Sequence, residues 1–209
     1  MNGARPILHP MSPLDIALSI ALGIALAAAV GFRVFLPLLA VSVAAHTGHL
    51  PLGESFAWLA SLPAMMMLAV AAGAEILGYY IPAVDNLLDA ITTPSAIIAG
   101  AVVSAAVMTD LPPLVKWTTA IIAGGGAAGA TQAVTALLRA KSTAVTGGIG
   151  NPVIATGELG GALLLPVLAI AAPFVALGAT LIFCWLAVRY VRRLMKRGRR
   201  GAESAQRLR

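Results

Sequence analysis

Residues 14–45 read LDIALSIALGIALAAAVGFRVFLPLLAVSVAA. These thirty-two residues hold two charged side chains, Asp15 and Arg33. No polar face can be drawn on a helix of this composition, and a helix that is apolar all round belongs in a large core or in a membrane. About 20 residues are enough to cross a bilayer, so the stretch is longer than one straight span needs. Gly31-Phe32-Arg33 and Pro37 interrupt it. It reads either as one tilted helix or as a span broken at Gly31 whose second half is re-entrant or lies at the outer interface.

The rest of the chain agrees. Of 209 residues, 59% are hydrophobic and 11% charged, with a mean hydropathy of +0.92. Soluble domains carry roughly 25% charged residues; this chain could not cover such a surface, and disorder requires low hydrophobicity. The expected class is an all-α polytopic transmembrane bundle of about six spans, one membrane domain over 1–195 and a basic tail over 196–209. That leaves no length for a separate soluble catalytic domain. The run from Leu14 to Val30 after Arg5 resembles a secretory signal superficially. Apolar sequence continues to Ala45 and further runs follow, so a span is expected instead.

Those further runs cover 56–81, 94–109, 117–138, 153–171 and 174–195, punctuated by Pro51, Pro82, Pro94, Pro112-Pro113, Pro152 and Pro173. Pro94 and Pro152 suit the first turn of a helix, where a missing N–H costs nothing. The net charge of +6 is uneven: nine Lys or Arg and one acid lie between Arg189 and Arg209, leaving five basic and seven acidic residues before them. A basic run directly after an apolar span marks the cytoplasmic side, so the tail is read as a topology signal, not as a nucleic-acid site. Six spans put Arg5, Arg139, Lys141 and the tail inside and only Lys116 outside. The expected location is the cell inner membrane with both termini cytoplasmic.

In 82–93, Val84, Leu87, Leu88 and Ile91 share one helical face, and Asp85, Asn86 and Asp89 lie off it. This predicts a short interfacial amphipathic helix. Its acidic side suits protein better than anionic lipid, with Arg139 and Lys141 as partners. Repeats are faint. Breaks and acids recur in both halves (Gly31 and Glu75; Gly124-Gly125-Gly126 and Glu158), a pattern compatible with a 3+3 inverted repeat.

An ionisable group inside a span costs about 2.5–3.5 kcal/mol at its centre and so asks for a reason. Arg33, Glu75 and Glu158 qualify. Glu75 lies roughly 10 Å before Pro82 and Glu158 roughly 9 Å after Pro152 along their helices, so both reach a similar depth on the inner side. Two such acids could bind a cation or pass a proton; alternatively either snorkels or bonds exposed backbone. Arg33 is either a counter-charge or an anchor at the outer headgroups. Gly124–Gly126 and Gly129 favour close helix packing. Gly147–Pro152 (GGIGNP) cannot continue a helix and could supply backbone ligands near Glu158, with Asn151, Gln132, Ser142 and Thr143 as polar neighbours. His46 and His49, with His9 elsewhere, lack a third metal ligand. Met65–Met67 and the lone Cys184 read as packing. No phosphate loop, HExxH or Ser-His-Asp arrangement is present, so an enzyme is not expected.

The stretches GFRVFLP (31–37), EILGYYIPAVDNLLDAITTP (75–94), AGGGAAGATQAVTALLRAKST (123–143) and GGIGNPVIATGE (147–158) resemble the bacterial membrane family known as domain of unknown function 4126. The resemblance covers about 14–190 and implies a small integral membrane protein; it implies no activity. The function expected from the residues is a transporter or channel for an ion or small solute. Its candidate site residues are Glu75, Glu158, Arg33, Asp85, Asn86, Asp89, Asn151 and Gln132, without metal or cofactor. The alternative is a non-transporting module that binds lipid or a partner protein. Expected partners are membrane lipid and the solute, with homo-oligomerisation through the small-residue faces of 94–109 and 117–138 a further expectation.

Overall fold

The computed structural model describes residues 12–109, 111–186 and 188–189, and within 82–86 only the side chain of Val84. The described residues are helical, with no strand. The helices are α1 (Pro13–Val30), α2 (Phe35–His46), α3 (Leu62–Gly78), α4 (Pro82–Val107), α5 (Pro113–Thr119), α6 (Gly126–Thr146), α7 (Asn151–Ala171) and α8 (Pro173–Leu186), with a 3₁₀ turn at Glu54–Ala60. A π-helical segment, Ala120–Gly125, joins α5 to α6. Pro13–Val30, Leu87–Val107, Pro113–Thr146 and Asn151–Ala171 are long and apolar enough to cross a membrane. The 3₁₀ turn and α3, bent by 65°, count as a fifth if taken together. Val70, Leu77, Ile122 and Leu164 are 70–75% exposed on the outside of the bundle, as a bilayer solvent permits. The helices make this a multi-pass membrane protein.

Local chemistry sets the helix starts. Asp15 is not an embedded charge: it completes a capping box with Ser12, in which Ser12 Oγ accepts the Asp15 N–H and the Asp15 carboxylate accepts the Ser12 N–H. Ser61 Oγ caps α3 by accepting the Ala64 N–H. Pro152 stands in the first turn of α7, as its sequence position suggests. Pro94 does not start a helix. It lies inside α4, so 82–93 forms the first turns of that helix and not a separate interfacial one. The Thr93 and Ser95 hydroxyls there donate to the Asp89 and Ile91 carbonyls, one turn back.

The path of residues 13–46 decides among the readings open from sequence. α1 runs antiparallel to α7: Leu26 shares a cluster with Ala169, Phe32 lies against Gly161, and Arg33 reaches the Ala155 carbonyl. α2 runs parallel to α7: Leu36 packs with Ala162, and Val43 and Thr47 line a groove with Val167 and Ala171. So α1 and α2 form a hairpin with its tip at Gly31–Val34. Both of its outer ends lie at the end of the bundle where α3 starts and α4 and α7 finish, as the Ser42 bond to the Leu59 carbonyl and the Gly53 bond to the Ala106 carbonyl show. Of the readings open from sequence, the chain broken at Gly31 and turning back describes the stretch, and neither the single tilted helix nor the half-helix at the interface does. α8 sets out from this same end, with Ala176 beside Ala169, and passes Phe32 at Phe183. The start of α1 and the far end of α8 therefore face opposite ends of the bundle. Six separate spans are not what the described residues show. Nor is a 3+3 repeat, since the break at Gly31 folds back while Gly124–Gly126 stays helical.

Small residues bring the helices together. A Cβ on Gly124 would meet Ser104 at 2.6 Å, one on Gly100 would collide with the Ala128 side chain, and one on Gly31 with the Ala128 carbonyl. The glycines thus allow α4, α6 and the hairpin tip to touch, as membrane helices require in the absence of a hydrophobic drive between them. Replacing Gly124 by Val should cost about 1–3 kcal/mol in detergent unfolding. Gly126→Ala should be silent, because nothing lies within 4 Å of that position. The hairpin predicts labelling: with Cys184 replaced by Ala, cysteines at Ser12 and Thr47 should react with an impermeant maleimide from one side of the membrane, and one at Thr146 from the other. Labelling of the first two from opposite sides would refute it.

Candidate functional site

The tip of the hairpin is a break in backbone hydrogen bonding inside an apolar bundle. The first N–H groups of α2 have no intrahelical partner, and no lipid or water can serve them there. Glu75, near the end of α3, supplies the acceptor. Its Oε1 accepts the Val34 N–H at 2.8 Å and its Oε2 the Phe35 N–H at 3.0 Å. A carboxylate is also the charge that a helix N-terminus favours. Arg33, 1% exposed, turns inward from the same tip. Its Nη1 donates to the Glu75 carbonyl at 3.3 Å and its Nη2 to the Ala155 carbonyl at 3.2 Å, tying α3 to α7. Its Nε is buried and makes no hydrogen bond among the described residues. Arg33 is thus not an anchor at the outer headgroups.

One helical turn after Glu75, and so on the same face of the chain, comes Tyr79, 2% exposed. The Arg33 guanidinium carbon lies 3.9 Å from its ring centroid and that of Arg139 4.0 Å. Two groups this near one centroid cannot share a face, so the ring separates two cations and attracts both through its π-density. Arg139, 2% exposed, pairs with Glu158 through Nε (3.2 Å to Oε1) and Nη2 (to Oε2). Its Nη1 reaches Asp89 Oδ1 at 2.6 Å. This is the forked recognition that arginine geometry allows. The Tyr79 hydroxyl donates to Asp89 at 3.4 Å and lies 3.0 Å from Thr92 Oγ1, which also accepts from Gln132 Nε2 at 3.2 Å. Among the described side chains the cluster holds three carboxylates and two guanidiniums. Glu75, Arg139 and Glu158 are 2–3% exposed, and the Asp89 side chain 17%.

The sequence-derived candidates divide as follows. Arg33, Glu75, Asp89, Glu158 and Gln132 meet in this cluster, and the pairing expected between 82–93 and Arg139 is made by Asp89. Glu75 and Glu158 are held apart: each has its own donors, and the described contacts give them no shared hydrogen bond. The side chains of Asp85 and Asn86 lie outside those described. Asn151 stands apart, its Nδ2 donating to Thr143 Oγ1 at 3.0 Å. The Gly147–Pro152 break supplies no ligand to Glu158. It is a helix–helix turn, with Gly147 and Gly148 at φ of +63° and +93°, and the Gly150 N–H is taken by Thr146 Oγ1. His46 Nδ1 donates to the Ala60 carbonyl and His49 Nδ1 contacts Thr47 Oγ1; His9 lies outside the described residues. No group of three His, Cys, Asp or Glu that could hold a metal occurs among the described residues. Tyr79 and Thr92 were not anticipated. The i, i+4 spacing of Glu75 and Tyr79 at the end of an apolar run is the signal that could have found the tyrosine.

Residues 20–193, which include every member of this cluster, match the family model described as Domain of unknown function (DUF4126). The chain belongs to that family. No curated protein and no solved structure matches it. The family stretches 31–37, 75–94, 123–143 and 147–158 thereby gain a physical content: the first three and the end of the fourth each bring at least one side chain or capped backbone group to the cluster.

Arg139→Gln should be the most damaging single change here. It leaves two buried or half-buried carboxylates without their cation, at about 3–5 kcal/mol. Tyr79→Phe keeps the ring between the guanidiniums and loses only hydroxyl bonds, about 0.5–1.5 kcal/mol. Tyr79→Leu also loses the ring and should fall between the two. Unfolding midpoints of the purified variants test that order.

Proposed function

We propose that this DUF4126 protein is a small transporter or channel for an ion or small solute, and that the cluster around Tyr79 is its charge-bearing site. The observation that supports this reading most directly is the gathering of Arg33, Glu75, Arg139 and Glu158, each at most 3% exposed, in one cluster with Tyr79. Charged groups are costly to bury, and taking up or losing a proton or a cation there changes what the cluster can hold together. Arg33 Nε, a buried donor without a partner among the described residues, offers a hydrogen bond to a solute oxygen. Ionisable groups at this depth ordinarily serve such pathways, and non-helical backbone inside a membrane domain belongs where it is enclosed by protein or lines a cavity. Site, hairpin tip and gate are in this reading one object: separating Arg139 from Glu158 and Asp89 opens the bundle at the α6–α7 end.

We assign that end to the cytoplasm of a cell inner membrane, because Arg139 and Lys141 approach it and the basic tail follows α8, whereas Lys116 belongs to the other end. The start of α1 then faces outward, the reverse of the placement expected from sequence. The second reading, a non-transporting module that binds lipid or a partner protein, is favoured by one observation: both oxygens of Glu75 and of Glu158 already have donors.

Purified protein in liposomes carrying a pH-sensitive dye and a potassium or sodium gradient separates the two. Transport predicts flux above that of empty liposomes, lost in Glu75→Gln and Glu158→Gln while both variants remain folded. Undiminished flux in both would remove the carboxylate site. Absence of flux with every gradient, together with stably copurifying lipid or protein, would favour the module.

A further inference from the structure

On the membrane-facing side of the bundle, α1, α6, α7 and α8 enclose a cavity of about 520 Å³. This is within the range of sites that take small organic molecules. It is apart from the charged cluster. Leu164 and Val167 form part of its lining and are 72% and 64% exposed, so its mouth opens to lipid. Phe32 and Phe183 line it with rings 5.2 Å apart. Gly161 keeps room for Phe32, since a Cβ there would lie 3.1 Å from the ring. The cavity is almost wholly apolar, with two exceptions, Thr131 and Thr180. Both are buried, at 0% and 3% exposure, and neither hydroxyl has a hydrogen-bond partner among the described residues.

Two unpaired hydroxyls in one apolar cavity are unusual, because each buried polar group without a partner costs stability. A hydrocarbon chain alone would leave both unpaired. Threonine in a helix samples two rotamers that exchange its hydroxyl and methyl, so an oxygen acceptor in the cavity can give each a bond. The position constrains the acceptor. Gly161 is midway along α7, and Thr131 lies beside the hairpin tip, well inside the bundle, where ester carbonyls of glycerolipids and charged headgroups do not reach. An occupant that satisfies both hydroxyls is uncharged, dissolves in the bilayer core and carries acceptor oxygens, which the carbonyls of a flat ring supply. The pair of phenylalanines further suits a flat ring. We propose that this cavity binds a membrane-dissolved quinone, its two carbonyl oxygens accepting from Thr131 and Thr180 and its ring lying against Phe32 and Phe183.

The test titrates the detergent-purified protein with decylubiquinone and counts bound molecules by native mass spectrometry. One saturable equivalent is expected. Thr131→Val with Thr180→Val should weaken binding about tenfold, the loss of two ordinary hydrogen bonds. The same double variant should melt no lower than the parent without ligand, since it removes two unpaired hydroxyls and keeps the shape. Ala179→Phe, which fills the cavity from α8, should abolish binding. Absence of saturable binding would overturn the proposal. So would undiminished binding in the threonine double variant, or a copurified phospholipid in the cavity that the quinone does not displace.

Discussion

A carboxylate that closes a gap in the main chain is what the rest of the structure depends on. Inside a bilayer a helix can stop only where something else completes its hydrogen bonding, and at Val34 and Phe35 that something is Glu75. Once those two N–H groups are held, the chain can reverse within the bundle. Reversal puts Arg33 at the tip, pointing inward, and an inward arginine must find acceptors and a countercharge or it could not stay buried. Carbonyls of α3 and α7 serve as the acceptors. Tyr79 places an aromatic ring between Arg33 and the next cation, Arg139, which in turn draws Glu158 and Asp89 together. Helices α2, α3, α4, α6 and α7 are thereby joined through a sequence of contacts that starts from one side chain.

The class of the fold was legible in the chain because membrane solvation leaves a compositional mark that no packing detail can hide. Several local signals were equally direct: Pro152 in a first turn, glycines at helix contacts, Asp89 opposite Arg139. The fold-back of α2 was legible only as one alternative among several. Nothing in FLPLLAVSVAAH distinguishes a helix that crosses from one that returns, since both are apolar on every side. The information resides in Glu75, 41 residues away from Val34, and becomes visible only when the two meet. Pro94 misled for a related reason. Proline is common at a helix start, yet neighbouring helices and nearby hydroxyls let a membrane helix continue through one.

The candidate site shows the same division. Its charged members announced themselves by cost, because an ionisable group in an apolar run needs an explanation wherever it is found. Tyr79 and Thr92 carry no charge and attracted no notice, although the tyrosine stands at the geometric centre. Conversely, the glycine-rich turn before Glu158 looked chemically useful and proved to be occupied with its own hydrogen bonds. Flexible backbone near an acid suggests ligation only if its polar groups have nothing closer to bond.

The hairpin also has a bearing on how the molecule assembles. A pair of helices whose outer ends lie on one side carries the Arg33 charge at its innermost point. Held alone, that tip would expose an arginine and two bare peptide N–H groups to hydrocarbon. Its partners lie on α3 and α7, both translated later. The hairpin tip is thus stable inside the bundle only together with helices that follow it in the chain, so α1 and α2 depend on α3 and α7 as much as the reverse.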